Sequence, residues 1–99
     1  MQRKRLTEHA KQRNKERFGV ANNRIKEIMS GGYTVANFTG EFYIYLHYVK
    51  HKRSGAINIK VKDDMMVIYN KRSQRAITVY KVPEKFLPIE KYLVEGVKR

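Results

Sequence analysis

Several residue types are absent or scarce in this 99-residue chain, and each scarcity excludes a class of protein. There is no cysteine, which excludes a disulfide framework and any zinc site built on cysteine. No apolar run approaches the ~20 residues of a membrane-spanning helix, so no membrane partner is expected. The basic segment 1–5 is not followed by the apolar stretch of a secretory signal. We therefore expect a single domain over residues 1–99, located in the reducing cytoplasm.

Acidic residues are also scarce. Nine Asp and Glu stand against 22 Lys and Arg, which gives a net charge of +13. A field of this sign attracts polyanions, and nucleic acid is the leading candidate. An anionic membrane surface is the rival, but the basic segments lack the Trp, Phe and Leu face that interfacial helices use. A protein that is merely basic is the third interpretation.

The apolar pattern and the turn signals predict an α+β domain. Two N-terminal helices are expected to pack on an antiparallel sheet of about four to five strands, followed by a short C-terminal helix. The first helix is predicted over 3–17, and the second begins at Asn22 or Asn23 and ends at Gly31–Gly32, where glycine favours a left-handed cap. The predicted strands are 33–38, 41–49, 56–62, 65–70 and 75–81, and the C-terminal helix holds Ile89, Tyr92 and Leu93.

The first predicted helix carries His9, Arg13 and Arg17 at intervals of four residues. Because each step of four drifts by only ~40° around a helix, the three side chains form one stripe. On a helical wheel the two arginines fall between Leu6 and Ala10, which mark the inward side. An imidazole beside two guanidiniums can move a proton and neutralise a phosphate, as a small RNA-cleaving enzyme must.

Two other interpretations of this stripe remain open. An inward-facing arginine needs an anionic partner, and Glu41, Asp63 or Asp64 would form ordinary fold-stabilising ion pairs with it. Alternatively, the helix is solvated on all sides, and the stripe has no functional meaning.

A second candidate surface is the sheet face opposite the predicted core. Ile57, Ile59 and Val61 alternate on one face of their strand and are expected to pack against the helices. The other face would be exposed and would mix tyrosines with lysines, which suits RNA because rings stack on bases and ammonium groups hold phosphates. Half-buried sheet tyrosines are the alternative. The candidate nucleic-acid-binding residues are Lys60, Lys62, Tyr43, Tyr45, His47, Lys50, Lys52 and Arg53.

These two surfaces are in tension. A stripe that looks toward the core face cannot easily join residues on the opposite face. A site at the sheet edge, or in the groove where a helix crosses a strand end, would reconcile them.

The pattern His-x-x-x-Arg-x-x-x-Arg, the predicted antiparallel strands and a last strand reading Arg75-Ala-Ile-Thr-Val-Tyr80 resemble the small RelE-like ribonuclease toxins of phages and bacteria. These belong to the wider barnase, EndoU, colicin and RelE group, and the resemblance covers most of residues 5–82. It implies metal-independent RNA cleavage without a cofactor, in which the ribose 2′-hydroxyl attacks the adjacent phosphate. In this sequence His9 would be the general base or acid, and Arg13 and Arg17 would stabilise the charge on the phosphate. Thr78 and Tyr80 would bind the phosphate or orient the base.

The resemblance also implies partners, namely RNA, which some members cut on the ribosome, and an acidic antitoxin. Two other hypotheses remain open: a non-catalytic basic nucleic-acid-binding protein, and a phage protein that binds and inhibits an acidic host protein. No metal site is predicted. On a strand His47 and His51 would lie ~13 Å apart, and Asp63–Asp64 is more simply a turn.

Overall fold

The computed structural model, which describes residues 4–53 and 55–97, shows an α+β domain with a five-stranded mixed sheet covered on both faces. Within these residues the strands are β1 (Arg5–Leu6), β2 (Tyr33–Thr34), β3 (Ile57–Lys62), β4 (Met65–Asn70) and β5 (Arg75–Lys81). The helices are α1 (Glu8–Arg17), α2 (Asn22–Gly31) and α3 (Gly40–His51). The sheet order is β1-β5-β4-β3-β2, with β1 parallel to β5 and the other neighbours antiparallel.

The first helix begins later than predicted. Arg5 and Leu6 form β1, and the backbone N–H groups of Arg5 and Thr7 donate to Gln74 and Ala76 across the parallel pair. The Thr7 hydroxyl accepts a hydrogen bond from the Ala10 N–H and caps α1. The prediction that the helix begins at residue 3 was therefore wrong, because Thr7 ends the strand and caps the helix. The prediction of a wholly antiparallel sheet was also wrong, because β1 is parallel to β5.

The second helix and its apolar face are as predicted, but Asn22 is its first residue and Ala21, not Asn22 or Asn23, is the N-cap. Ile25, Ile28 and Met29 are buried in α2, as their spacing of i, i+3 and i+4 indicated. The reason for the glycine at its end differs from the prediction. Gly32 has a φ of −72°, which is not left-handed, but a Cβ at this position would lie 2.6 Å from the Ile28 carbonyl oxygen. Close approach of two backbones, and not an unusual torsion, requires glycine here.

Residues 41–49 were predicted to form a strand, and this prediction was wrong. They belong to α3, which buries Phe42 and Leu46 one helical turn apart. The Phe42 ring contacts Phe38 with the ring centroids 4.9 Å apart, and Phe86 with the centroids 5.1 Å apart. The high β-propensity of the segment was overridden by this packing. Ile44, which a strand over 41–49 would place on the same face as Phe42, is 67% exposed.

Both faces of the sheet are therefore buried, and the open sheet face expected from the sequence does not exist. Helices α1 and α2 cover one face, above Val67 and Val79. Helix α3 covers the other, which carries Ile57, Ile59 and Val61. The prediction that the helices would gather on one face was wrong, because α3 supplies a second core.

The C-terminal segment and the segment after β2 are shorter elements than predicted. The strand expected over 33–38 stops after Thr34 and continues as a 3₁₀ helix, Val35–Asn37. In place of a C-terminal α-helix the chain makes two 3₁₀ helices, Glu84–Phe86 and Ile89–Tyr92, each preceded by a proline. Among the described residues, no helix has the length and apolar character needed to cross a membrane.

The helical conformation of 40–51 has a direct test in stability. Phe42→Ala should reduce the free energy of unfolding by about 3–5 kcal/mol, because it removes a fully buried ring. Ile44→Ala should change it by no more than about 0.5 kcal/mol, because that side chain is exposed on α3. Urea unfolding monitored by circular dichroism measures both. In a strand the two side chains would share the core face, so equal losses would contradict the helix.

Candidate nucleic-acid interface

Past its pairing with β1, strand β5 has an outer edge that two side chains cover. They belong to Arg17 of α1 and to Thr7, which caps this helix. The Thr7 hydroxyl donates to the Ile77 carbonyl oxygen at 3.2 Å, and Arg17 Nη1 donates to the Val79 carbonyl oxygen at 2.7 Å. Both acceptor carbonyls lie beyond the pairing of β1, which ends at the Leu6–Ala76 pair. The end of α1 is thus held at the sheet edge, which places the Arg17 guanidinium beside the next residue of β5.

Tyr80, the residue after Val79, contacts two arginines. One is on α1 and the other follows α3, and these two helices cover opposite faces of the sheet. The Arg17 Cζ atom lies 4.7 Å from the Tyr80 ring centroid, a cation–π contact. Arg53, just after α3, donates from Nη2 to the Tyr80 hydroxyl at 3.0 Å. All three side chains are half-buried. We call Arg17, Arg53 and Tyr80 the edge cluster.

The edge cluster has an excess of positive charge. Lys11, Arg13 and Arg24 form ion pairs, whereas neither Arg17 nor Arg53 has a carboxylate within salt-bridge distance in the described part of the chain. The Glu16 carboxylate, which pairs with Arg13, acts on Arg17 only from a longer distance. The expected alternative, pairing of an inward arginine with Glu41, Asp63 or Asp64, is not what the structure shows for Arg17. Each guanidinium has five N–H donors, so both retain donors for an anion.

A second group of rings and cations lies beside the edge cluster on α3. Burial and the neighbouring Tyr80 raise the pKa of Tyr45 above its ordinary value. The Lys52 ammonium lies 4.6 Å from the Tyr48 ring centroid, and the neighbouring Tyr48 raises the pKa of this lysine. An amine and the Tyr45 phenol therefore lie close to Tyr80.

The opposite flank of α3 forms a groove with histidines on its wall. The groove has a volume of about 420 Å³, and its polar lining is Tyr43, His47, Lys50, His51 and Arg53. The ring centroids of His47 and His51 are 4.5 Å apart, and those of Tyr43 and His47 are 5.9 Å apart. We call this the histidine groove. Because Arg53 also contacts Tyr80, the groove and the edge cluster share one residue.

The structure does not bring the predicted catalytic residues together. Arg17 and Tyr80 meet, but His9 is exposed near the other end of α1, about 12 Å away along the helix axis. Arg13 donates to Glu16 at 2.6 Å, and this bond lowers the pKa of the glutamate. Thr78 is 1% exposed and cannot reach a phosphate without a change of the fold.

The predicted nucleic-acid-binding residues divide among three places. Tyr43, His47, Lys50 and Arg53 line the histidine groove, whereas Tyr45 and Lys52 lie on the flank nearer to Tyr80. Lys60 and Lys62 are on β3, two strands from β5. They face the side of the sheet that α1 and α2 cover, because Lys60 pairs with Val67. Their placement therefore separates them from the edge cluster.

His51 and Tyr48 were missed by the sequence analysis. The signal for His51 was present, since Tyr43, His47 and His51 have the same spacing of four as His9, Arg13 and Arg17. It was misread because the segment was taken as a strand, on which the histidines would be far apart. On a helix the same spacing brings the two imidazoles into contact.

Comparisons with known proteins give no relative. No protein-family model matches the chain, and neither the curated proteins nor the solved structures contain a match. The resemblance to RelE-like toxins therefore depends on the motifs quoted above, and the functional argument depends on the geometry of the site.

The contact of Arg17 with the sheet edge predicts unequal effects of two neighbouring arginines on stability. Arg17→Ala should lower the free energy of unfolding by about 1–2 kcal/mol, because the Val79 carbonyl loses a charged donor. Arg13→Ala removes an exposed ion pair and should cost less than about 1 kcal/mol. Urea denaturation of both variants makes the comparison, and a larger loss for Arg13→Ala would contradict the arrangement.

Proposed function

We propose that this protein binds RNA at the edge cluster and cleaves it without a metal ion, through attack of the ribose 2′-hydroxyl on the adjacent phosphate. The observation that carries the proposal is the convergence of Arg17 and Arg53 on Tyr80. Two guanidiniums with spare donors around one phenol form a site for a phosphate next to a ring on which a base can stack.

The surroundings of the edge cluster support binding of an extended strand. Tyr48 and Tyr43 are exposed by 57% and 39% on the two flanks of α3, with Lys52 over the Tyr48 ring and Lys50 in the same groove as Tyr43. Exposed rings accompanied by cations fit single-stranded nucleic acid, whose bases stack on rings and whose phosphates bind cations. The net charge of +13 would speed the encounter and make it sensitive to salt.

The cleavage half of the proposal assigns a role to each member of the cluster. Arg17 and Arg53 would hold the non-bridging oxygens, where negative charge grows as the 2′-oxygen attacks phosphorus. The Tyr80 hydroxyl, held by Arg53, would orient the phosphate or the base. The proposal requires RNA, free or bound to the ribosome, as the substrate, and a location in the cytoplasm.

The test is incubation of end-labelled single-stranded RNA with the protein in EDTA, with and without ribosomes. We expect cleavage that leaves a 2′,3′-cyclic phosphate. Arg53→Ala should weaken binding and lower the slope of log K against log salt by about 0.7, the value for one phosphate contact to a single strand. Tyr80→Phe should reduce cleavage while keeping the ring.

Two controls make the result specific. Lys15→Ala removes one exposed charge on the solvent side of α1 and should leave binding and cleavage close to wild type. An RNA with a single 2′-deoxy nucleotide should bind normally and resist cleavage at that position. Salt-sensitive binding without cleavage of any RNA would reject the enzyme and leave the non-catalytic nucleic-acid-binding protein.

A second candidate function is binding to an acidic protein, either an antitoxin or a host protein. It is favoured by an apolar groove between α3 and the segment Glu84–Phe86, in which Ile44 and Tyr48 are exposed beside Lys85. Purification of the tagged protein from its own cells would test this function. An acidic partner retained by wild type and lost in Ile44→Asp would support it, and equal retention by both would count against it.

A further inference from the structure

We infer that His47 and His51 are the proton-transfer pair of the proposed RNA cleavage, with the histidine groove holding the nucleotide whose phosphate is cut. This inference deepens the proposed function and rests on it. It replaces His9, to which the sequence pattern assigned that role, with two histidines that the fold brings together.

The first support is geometry. His47 and His51 are four residues apart on α3, and their ring centroids are 4.5 Å apart with the planes at 90°. Both rings are exposed to the groove. Cleavage by a 2′-hydroxyl needs one group to accept a proton and a second to donate one to the same phosphodiester. Two imidazoles on adjacent turns of one helix can meet that requirement, whereas a single histidine on α1 cannot.

The second support is the charge around the pair. Lys50 and Arg53 line the same groove, and Arg53 also holds Tyr80 in the edge cluster. A phosphate at Arg53 would therefore lie between the edge cluster and the imidazoles. Histidine is the side chain whose charge ordinarily changes between pH 5 and 8, which suits it to accepting and donating protons.

The third support is space. The groove has a volume of about 420 Å³, within the range of ~300–1,000 Å³ typical of small-ligand sites. Tyr43 closes one end of the histidine row, with its ring near that of His47 at a tilt of 29°. An exposed ring in this position offers a surface on which a base can stack while its phosphate faces the cations.

The reaction then proceeds with balanced protons. A neutral imidazole takes the proton of the 2′-hydroxyl while the 2′-oxygen forms a bond to phosphorus. The bond from phosphorus to the 5′-oxygen breaks, and the other histidine, as imidazolium, gives its proton to that oxygen. The products are a 2′,3′-cyclic phosphate and a 5′-hydroxyl, and the pair has exchanged its protonation states.

The experiment compares His47→Ala, His51→Ala and His9→Ala with wild type, using labelled single-stranded RNA in EDTA between pH 5 and 9. Wild type should show a bell-shaped dependence of kcat/KM on pH. Each groove variant should lose roughly 100-fold or more in cleavage, and lose one limb of the bell, with a much smaller loss of RNA binding. Because both side chains are exposed on α3, thermal melts should show that the variants remain folded.

A substrate with an activated leaving group separates the two roles. A uridine 3′-(4-nitrophenyl phosphate) needs no proton on its leaving oxygen, so the variant that lacks the acid should recover activity on it and the variant that lacks the base should not. A merely structural role for either histidine would give no such difference.

The outcomes are distinct. Wild-type cleavage that survives in either groove variant overturns the inference and leaves the proposed function intact, and so does cleavage that is lost only in His9→Ala. Absence of cleavage by wild type overturns the enzyme and the pair together.

Discussion

The rest of this structure depends on the packing of Phe42, the buried residue by which α3 joins the core on the second face of the sheet. Its ring is fully buried and touches rings from three other segments, those of Phe38, Phe86 and Tyr92. This cluster closes the second face of the sheet, which would otherwise expose the apolar residues of β3. It also fixes the rotation of α3, so that Tyr43, His47 and His51 lie along the groove. Arg53, just after the helix, then reaches the Tyr80 hydroxyl. A different rotation of this helix would remove both the groove and the edge cluster.

The parts of the fold that could be predicted from the sequence are those whose patterns are local. Helix α2 has its apolar residues at helical spacing, and β3, β4 and β5 are separated by short turns. Helix α3 could not be predicted in this way, because its segment carries three tyrosines, a phenylalanine, an isoleucine and a valine, all of which favour strands. What makes it a helix is a set of aromatic contacts with residues 38, 86 and 92 along the chain. Local propensity carries no information about such contacts.

The candidate site shows the same division between local and distant information. The stripe on α1 was a sound helical pattern, but its drift of ~40° per step adds up to ~80° between His9 and Arg17. Only Arg17 reaches the edge of β5, where a carbonyl and a tyrosine hold it. Arg17 and Tyr80 meet at the edge of the sheet, one of the two places where the sequence analysis expected the two candidate surfaces to join. Arg53 completes that cluster through α3, and the pattern of α1 could not indicate it.

The arginines of the edge cluster have different partners from Arg13 and Arg24. Where carboxylates are available, as at Arg13 and Arg24, the arginines take them. At the edge cluster a carbonyl, a phenol and a ring are used instead, and within the described residues neither guanidinium has a carboxylate at salt-bridge distance. Folding alone gains little from gathering like charges, since their repulsion opposes the packing that holds them. A bound phosphate would convert this repulsion into attraction, which is the physical reason for assigning the surface to a polyanion.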